Sequence, residues 1–132
     1  MSIVVKRDPT GKMRHQVIIG KHTLVADEGP QVGGEDSGPT PHDLYDAALG
    51  ACKGLTMVWY AEREGIPLQD VEVRMTRDAS QERQGSYRLR AAVAVSGDLT
   101  GAQREQLLAV ASRSPVHKLM TRVTTEIETV WL

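Results

Sequence analysis

Apolar and polar positions along the chain predict short strands at both ends and in the middle, separated by helices. β-rich apolar runs come first and are joined by Gly-Lys turns. Strict alternation of apolar and polar residues returns twice after a long apolar stretch and once more near the end of the chain. The predicted strands cover residues 3–5, 16–19, 22–25, 71–77, 87–95 and 123–130.

The long apolar stretch predicts a helix over residues 41–64. Thr40 is a favourable N-cap, Pro41 suits the first helical position, and Asp43 completes a capping box. Gly65 is expected to end the helix. A second helix follows Thr100 and is broken by Pro115, after which residues 116–120 form a short turn or helix.

The middle of the first helix is apolar on nearly every side, which is typical of a central, buried helix. We expect Cys52 to lie on its buried stripe together with Ala48, Leu55 and Trp59. Gly50 and Gly54 cost helix stability, so we expect a packing reason for them, such as the close approach of another helix.

The element order βββ-α-ββ-α-β predicts an α+β domain with helices on antiparallel sheet. The 132 residues fit one domain spanning 1–132. The chain has no Phe, so its core is aliphatic. The first sheet is thin and marginal alone, which favours pairing with a second subunit.

Charge and composition exclude several classes of function. The net charge is -1 without a basic block, so nucleic acid is not an expected partner. No run approaches a membrane span or a signal peptide. Histidines and the one cysteine lack metal-ligand spacing, and no phosphate loop is present, so we expect no metal and no cofactor. A lone cysteine predicts a cytoplasmic protein with a reduced thiol.

Cys52 has two interpretations from the residues alone. A lone helical cysteine is commonly a small buried hydrophobe. A reactive thiol would need a cation or donor from elsewhere, because the N-terminus of its own helix is too distant to help. Lys53 is adjacent but points about 100° away around the helix.

Two segments resemble the OsmC/Ohr family of thiol-dependent hydroperoxide reductases. The first is Gly-Pro-Thr-Pro at 38–41 running into Ala-Ala-Leu-Gly-Ala-Cys at 47–52, and the second is Ser-Pro-Val-His at 114–117. The resemblance implies that Cys52 attacks the O–O bond of an organic hydroperoxide and becomes a sulfenic acid. It also implies an intertwined homodimer with sites at the subunit interface.

The resemblance transfers unevenly to the other site residues. Ser114 occupies the position of the family's second, resolving cysteine and cannot form a disulfide, so an external thiol would have to reduce the protein. His42 stands where peroxidase members carry a Glu, with Asp43 beside it. The family's N-terminal Arg has Arg14 and Arg7 as candidates, with Arg14 as our choice.

Each of these residues also has a structural interpretation. His42 suits a surface position in the first helical turn, about 15 Å along the helix from Cys52, so contact would need a crossing helix from a partner. His117 suits packing beside the broken helix, and Ser114 suits capping or polar packing.

Three hypotheses follow for the function. The first is a single-cysteine thiol peroxidase acting on organic hydroperoxides through Cys52. The second is a non-catalytic relative that binds a small hydrophobic ligand in a dimer-interface cavity. The third is a structural or partner-binding dimer in which the cysteine is inert.

Overall fold

The computed structural model describes residues 2–132, which form two compact units, one up to Tyr45 and one from Asp46 to Leu132. The first unit contains an antiparallel sheet in the order β1-β2-β3. Its strands are β1 Ile3–Arg7, β2 His15–Ile19 and β3 His22–Ala26. These agree with the predicted strands to within two residues at each end. A single domain over 1–132 stays a prediction.

A buried carboxylate, Asp27, organises the loop that follows β3. It accepts hydrogen bonds from the Ser37 hydroxyl at 2.5 Å and from the Ser37 and Glu28 N–H groups at 3.0 and 2.8 Å. The Ser37 hydroxyl is the largest of the causes that lower the pKa of Asp27 to about 2. The loop is thereby tied down although it contains only one short 3-10 turn, Pro30–Val32.

The long helix α1, Pro41–Glu64, has the predicted bounds. The Thr40 hydroxyl accepts the Asp43 N–H at 3.1 Å, and the Asp43 carboxylate accepts the Thr40 N–H at 3.0 Å. This is the expected capping box. Gly65 follows the helix with a φ of +66°, the left-handed conformation that glycine adopts without steric cost.

The second unit places helices on an antiparallel hairpin. The hairpin joins β4 Leu68–Asp78 to β5 Arg88–Gly97. Two further helices follow, α2 Gly101–Ala111 and α3 Pro115–Arg122. Thr100 caps α2 in a complete capping box with Gln103. The predicted break at Pro115 is therefore the start of a third helix.

The core of the second unit lies between α1, α2 and the hairpin. Its buried members are Met57, Ala61, Ile66, Leu107 and Ala111, with valines of both strands packed around them. A Cβ on Gly50 would lie 2.8 Å from the Met75 Cγ atom, so this glycine does have a packing reason. The approaching element is strand β4, whereas the sequence analysis expected another helix.

A buried polar network fastens α1 to the hairpin. Asp46 is 6% exposed and accepts a 2.6 Å hydrogen bond from the Tyr87 hydroxyl. Its other oxygen pairs with the Arg77 Nε atom at 2.8 Å. Burial and the bond to Asp46 raise the pKa of Tyr87 to about 12. The network holds α1 in place two turns before Cys52.

The buried stripe of α1 differs from the predicted one. Leu55 is 72% exposed and Trp59 is 55% exposed, so the stripe predicted to carry Cys52 into the core faces outward in this chain. The sheet and α2 cover only one side of α1, and the apolar character of its other side misled the sequence analysis. The residues that are buried on α1 are Asp46, Leu49, Gly50, Lys53, Met57 and Ala61.

The predicted last strand is the clearest error in the element order. Residues 123–132 adopt no regular structure and are exposed. A strand needs a neighbour for its N–H and C=O groups, and β1–β5 pair only with one another in residues 2–132. Alternation at 123–130 is thus a pattern without a partner in this chain.

No helix of the described part is long and apolar enough to cross a membrane.

Two adjacent leucines on α2 test this description of the core. Leu107 is 1% exposed and Leu108 is 57% exposed. We expect Leu107→Ala to lower the free energy of unfolding by about 2–5 kcal/mol, because it leaves a cavity. Leu108→Ala should change it by about 0.5 kcal/mol or less. Urea unfolding measures both, and equal costs would contradict the assigned core.

Candidate thiol site

Cys52 is half-buried on α1, and its sulfur accepts a hydrogen bond from the start of another helix. The Val116 N–H donates to the Cys52 Sγ atom over 3.5 Å. Val116 is the second residue of α3, so its N–H is one of those that a helix leaves without an internal acceptor. The sequence analysis found no help for this thiol from its own helix, and the structure supplies the N-terminus of α3.

The first turn of α3 reaches the sulfur because its usual cap is missing. Ser114 is the N-cap residue, but its side chain makes no capping hydrogen bond. Pro115 has no N–H, which makes Val116 the first possible donor of the helix. The sulfur of Cys52 therefore fills the role that a capping oxygen commonly has.

Lys53 is the unexpected member of the site. It is 6% exposed although it carries an ammonium group. Its Nζ atom donates to the Ala111 carbonyl oxygen at 2.8 Å and contacts the His117 Nδ1 atom at 3.1 Å. Burial lowers the pKa of Lys53, and a negative charge on Cys52 opposes that shift.

His117 completes the polar contacts at this corner. An ammonium group has only donors, so the Nδ1 atom accepts from Lys53 and the ring proton lies on Nε2. Burial, followed by the charges of Lys53 and Arg122, lowers the pKa of His117 below its usual value of 6.5. The ring is consequently neutral at pH 7. The predicted packing of His117 beside the broken helix is thereby given a specific partner.

Ser114 is wholly buried at the same corner. Within the described chain its hydroxyl oxygen has no hydrogen-bond partner. The capping role that sequence analysis offered for this residue is thus wrong for its side chain, although its backbone does occupy the N-cap position. A buried hydroxyl without a partner costs about 1–3 kcal/mol.

The other two predicted site residues lie in the first unit. Arg14 follows β1 and pairs through its Nε atom with the Asp8 carboxylate at 2.9 Å. Hydrogen bonds from the Thr10 hydroxyl and N–H, together with Arg14, lower the pKa of Asp8 to about 2. His42 is exposed in the first turn of α1. A role at the thiol for either residue stays a prediction.

Taken together, the groups at this corner are the Val116 N–H on the Cys52 sulfur and the buried Lys53 side chain that follows it in sequence. A helix N-terminus carries partial positive charge and a free N–H, and both stabilise a thiolate. The Lys53 ammonium adds a full charge one residue away. The thiolate is the form of cysteine that acts as a nucleophile, so the corner can prepare this side chain for attack on an electrophile.

Two clefts of the second unit, each lined by both apolar and polar residues, do not include the thiol. One of about 360 Å³ is lined by residues such as Val58, Ile66 and Val71. Another of about 230 Å³ is lined by residues such as Val93, Leu107 and Leu108. Among residues 2–132, no three His, Cys, Asp or Glu side chains gather as metal ligands.

Comparison with known proteins now places the chain. The family model described as OsmC-like protein matches residues 34–129, which include Cys52 and the whole corner around it. The chain belongs to the OsmC-like protein family. Among curated proteins, none is similar enough in sequence to match it.

Solved structures of the family share the fold at low sequence identity. An OsmC-like protein from Mycoplasma pneumoniae superposes with a TM-score of 0.74 at 16% identity, covering 92% of this chain and 87% of that one. An organic hydroperoxide resistance protein OsmC from Legionella pneumophila gives 0.67 at 20% identity, with 92% and 90% covered. The organic hydroperoxide resistance protein OhrB of Bacillus subtilis gives 0.59 at 17% identity, with 92% and 90% covered. The predicted α+β, OsmC-like fold is confirmed.

The sequence motif of this OsmC-like protein predicted the thiol but not the burial of Lys53, the residue next to it. The signal was available, because Lys53 is the one charged residue in the apolar run from Ala47 to Tyr60. Consecutive side chains on a helix diverge by about 100°, so Lys53 was not expected to share the surroundings of Cys52. The structure shows that a corner between two helices can contact both side chains at once.

The two N-cap residues of the second unit provide a test of the corner. We expect Thr100→Ala to lower the free energy of unfolding by about 1 kcal/mol, because it removes a formed cap. We expect Ser114→Ala to leave it unchanged or to raise it by up to about 1 kcal/mol, because it removes an unpartnered hydroxyl. Urea titrations compare them, and a loss above about 1 kcal/mol for Ser114→Ala would show a partner for its hydroxyl.

Proposed function

We propose that this OsmC-like protein is a single-cysteine thiol peroxidase that reduces organic hydroperoxides through Cys52. The observation that carries the proposal is the Val116 N–H at the N-terminus of α3, which donates to the sulfur. Family membership supports the proposal, as do structural relatives named for organic hydroperoxide resistance. Activity would place the protein among cytoplasmic oxidoreductases that act in oxidative stress.

The reaction uses the sulfur as a two-electron donor. The Cys52 thiolate attacks the terminal oxygen of the hydroperoxide, so an S–O bond forms as the O–O bond breaks. The alkoxide takes up a proton and leaves as an alcohol, while the sulfur is oxidised to a sulfenic acid. Arg14 and His42 are the residues that we propose, from the family resemblance, to assist the thiolate.

Recovery of the thiol requires a second sulfur from outside the chain. Ser114 cannot condense with a sulfenic acid to give a disulfide, and Cys52 is the only cysteine. An external thiol would displace water from the sulfenic acid to form a mixed disulfide. A second thiol would then release reduced Cys52 and carry away the oxidising equivalents as a disulfide.

We further propose that the protein acts as a homodimer. Leu55, Val58 and Trp59 form an exposed apolar patch on α1, and apolar side chains recur along the exposed segment 123–132. Apolar patches of this kind mark interaction surfaces. The segment alternates like a strand, and a second copy of the chain could supply the neighbour that it lacks.

One observation favours a second candidate function. Two clefts of the second unit combine apolar and polar residues, and the larger, of about 360 Å³, has the size of a small-molecule site, whereas the other is about 230 Å³. A relative without peroxidase activity could bind a small hydrophobic ligand at such a surface. Occupancy would then be independent of Cys52, because neither cleft is lined by it.

Exposure to peroxide followed by intact mass measurement tests the peroxidase. Reduced protein treated briefly with a slight excess of organic hydroperoxide and dimedone should gain one dimedone adduct at Cys52, because dimedone traps sulfenic acids. Hydrogen peroxide in parallel should react more slowly if the substrate is organic. Cys52→Ser should gain nothing.

The outcomes of this measurement separate the hypotheses. A Cys52 that is unmodified by either peroxide, yet alkylated readily, would reject the peroxidase and leave ligand binding. A thiol that also resists alkylation in the folded protein would favour an inert cysteine. Dimedone addition to Cys52→Ser would show that the signal does not arise from this site.

Native mass spectrometry tests the dimer and the ligand together. We expect the protein to appear as a dimer, and Leu55→Glu to shift it toward monomer because a charge enters the exposed apolar patch. Gln84→Glu, which adds the same charge at an exposed polar position, should leave the dimer intact. A monomeric wild-type protein would contradict the dimer, and a copurified small molecule would support the second candidate.

A further inference from the structure

Among the described residues, no ion pair explains why the ammonium group of Lys53 is buried. In the described chain no carboxylate lies within ion-pair distance of it, and its partners are a carbonyl oxygen and an imidazole nitrogen. Burying an ammonium group without an ionic partner costs free energy that an apolar side chain of similar size, such as methionine, would not cost. The presence of a lysine here therefore needs a reason beyond packing. Both partners belong to the corner where α2 ends and α3 begins.

That corner is the same one that brings a donor to the thiol. Ala111 is the last residue of α2, and His117 is the third residue of α3. Between them lie Ser114, which does not cap its helix, and Val116, whose N–H reaches the Cys52 sulfur. Lys53 therefore bonds on both sides of the turn that contains the donor.

We propose that Lys53 is a positioning residue for Cys52, holding the first turn of α3 against α1 so that the Val116 N–H stays on the sulfur. This role rests on the proposed function only in that Lys53 would prepare the same Cys52 sulfur for reaction. It concerns the reactivity of the thiol, which can be measured without a peroxide.

The geometry explains why a lysine suits this position. Cys52 and Lys53 are consecutive on α1, and the corner is wide enough to contact both. The short Cys52 side chain contacts the Val116 N–H, and the longer Lys53 side chain reaches Ala111 and His117. Burial lowers the pKa of Lys53, and Cys52 opposes that shift. One residue thus positions the donor and adds positive charge.

His117 makes the arrangement sensitive to acid. Its Nδ1 atom can accept from Lys53 only while the ring is neutral. Protonation would place two cations 3.1 Å apart, with Arg122 of α3 adding to the repulsion. The charged and titratable groups at the corner are Cys52 and Lys53 on α1 and His117 and Arg122 on α3, while α2 contributes the Ala111 carbonyl. Below the pKa of His117 we expect the first turn of α3 to loosen.

The rate of alkylation of Cys52 by iodoacetamide, followed from pH 5 to 9, tests this role. Cys52 is the only cysteine, so the signal has one source. We expect Lys53→Met to slow alkylation at pH 7 by about tenfold, because it removes the charge and releases the helix N-terminus. Lys53→Arg, which keeps the charge and the donors, should restore part of the rate.

Two further variants separate positioning from a general loss of stability. His117→Asn keeps an acceptor that does not titrate, so it should retain the rate at pH 7 and lose the extra fall that protonation of His117 causes in acid. Lys118→Met removes an exposed lysine from the same turn and should match the wild type throughout. Circular dichroism checks that each variant is folded.

A folded Lys53→Met with the rate and pH profile of the wild type would overturn the inference. If that variant does not fold, His117→Asn decides, and an unchanged fall of the rate in acid would reject the role of the pair. The proposed function fails separately. A protein that hydroperoxide does not oxidise, but whose alkylation depends on Lys53, would keep this inference and lose the peroxidase.

Discussion

The site depends on a helix that begins without a conventional cap. The first N–H groups of any helix need acceptors, and water supplies them only where the end is exposed. At the start of α3 the Ser114 side chain does not bond back to the helix, and the Val116 N–H meets the sulfur of Cys52 instead. The same contact completes a helix terminus and places a positive end on a thiol. One hydrogen bond thus both caps α3 and contacts the candidate nucleophile.

The polar contacts around that interaction follow from it. A sulfur is a weak acceptor, so it alone would hold α3 poorly. Lys53 reinforces the corner by bonding to the end of α2 and to His117 in α3. The Asp46 network fixes α1 against the hairpin with Tyr87 and Arg77. Two buried charged residues of α1, Asp46 and Lys53, thus bond to other elements on either side of Cys52 along the helix.

Local signals predicted the elements well because their causes are local. The capping box at Thr40 and Asp43 and the glycine at 65 fixed the bounds of α1 to the residue. Alternation at 123–130 failed because a strand depends on a neighbour, which no pattern within the segment can supply. The stripe of α1 failed for a related reason. A helix that is apolar all round does not reveal which side its own chain covers.

The site was predicted in part for equally physical reasons. Cys52 and Ser114 were found through motifs, which record residue types and spacing. Lys53 was missed because spacing on one helix says nothing about a corner formed by residues more than fifty positions later. The contact with Ala111 spans 58 positions, and that with His117 spans 64. Such contacts exist only once α2 and α3 are in place.

The reactivity of the thiol and its choice of substrate are two questions that concern different parts of the chain, the corner around the sulfur and the exposed face of α1. The hydrogen bond to the sulfur and the two polar contacts of Lys53 all lie within one chain. The exposed face of α1 carries Leu55 and Trp59 beside that sulfur, and what covers this face decides which molecules reach it. A partner that excludes water there would favour apolar hydroperoxides, while an open face would admit small polar ones. Under the proposed function, the contacts at the corner would govern the reactivity of Cys52, and whatever packs against the exposed face of α1 would govern its selectivity.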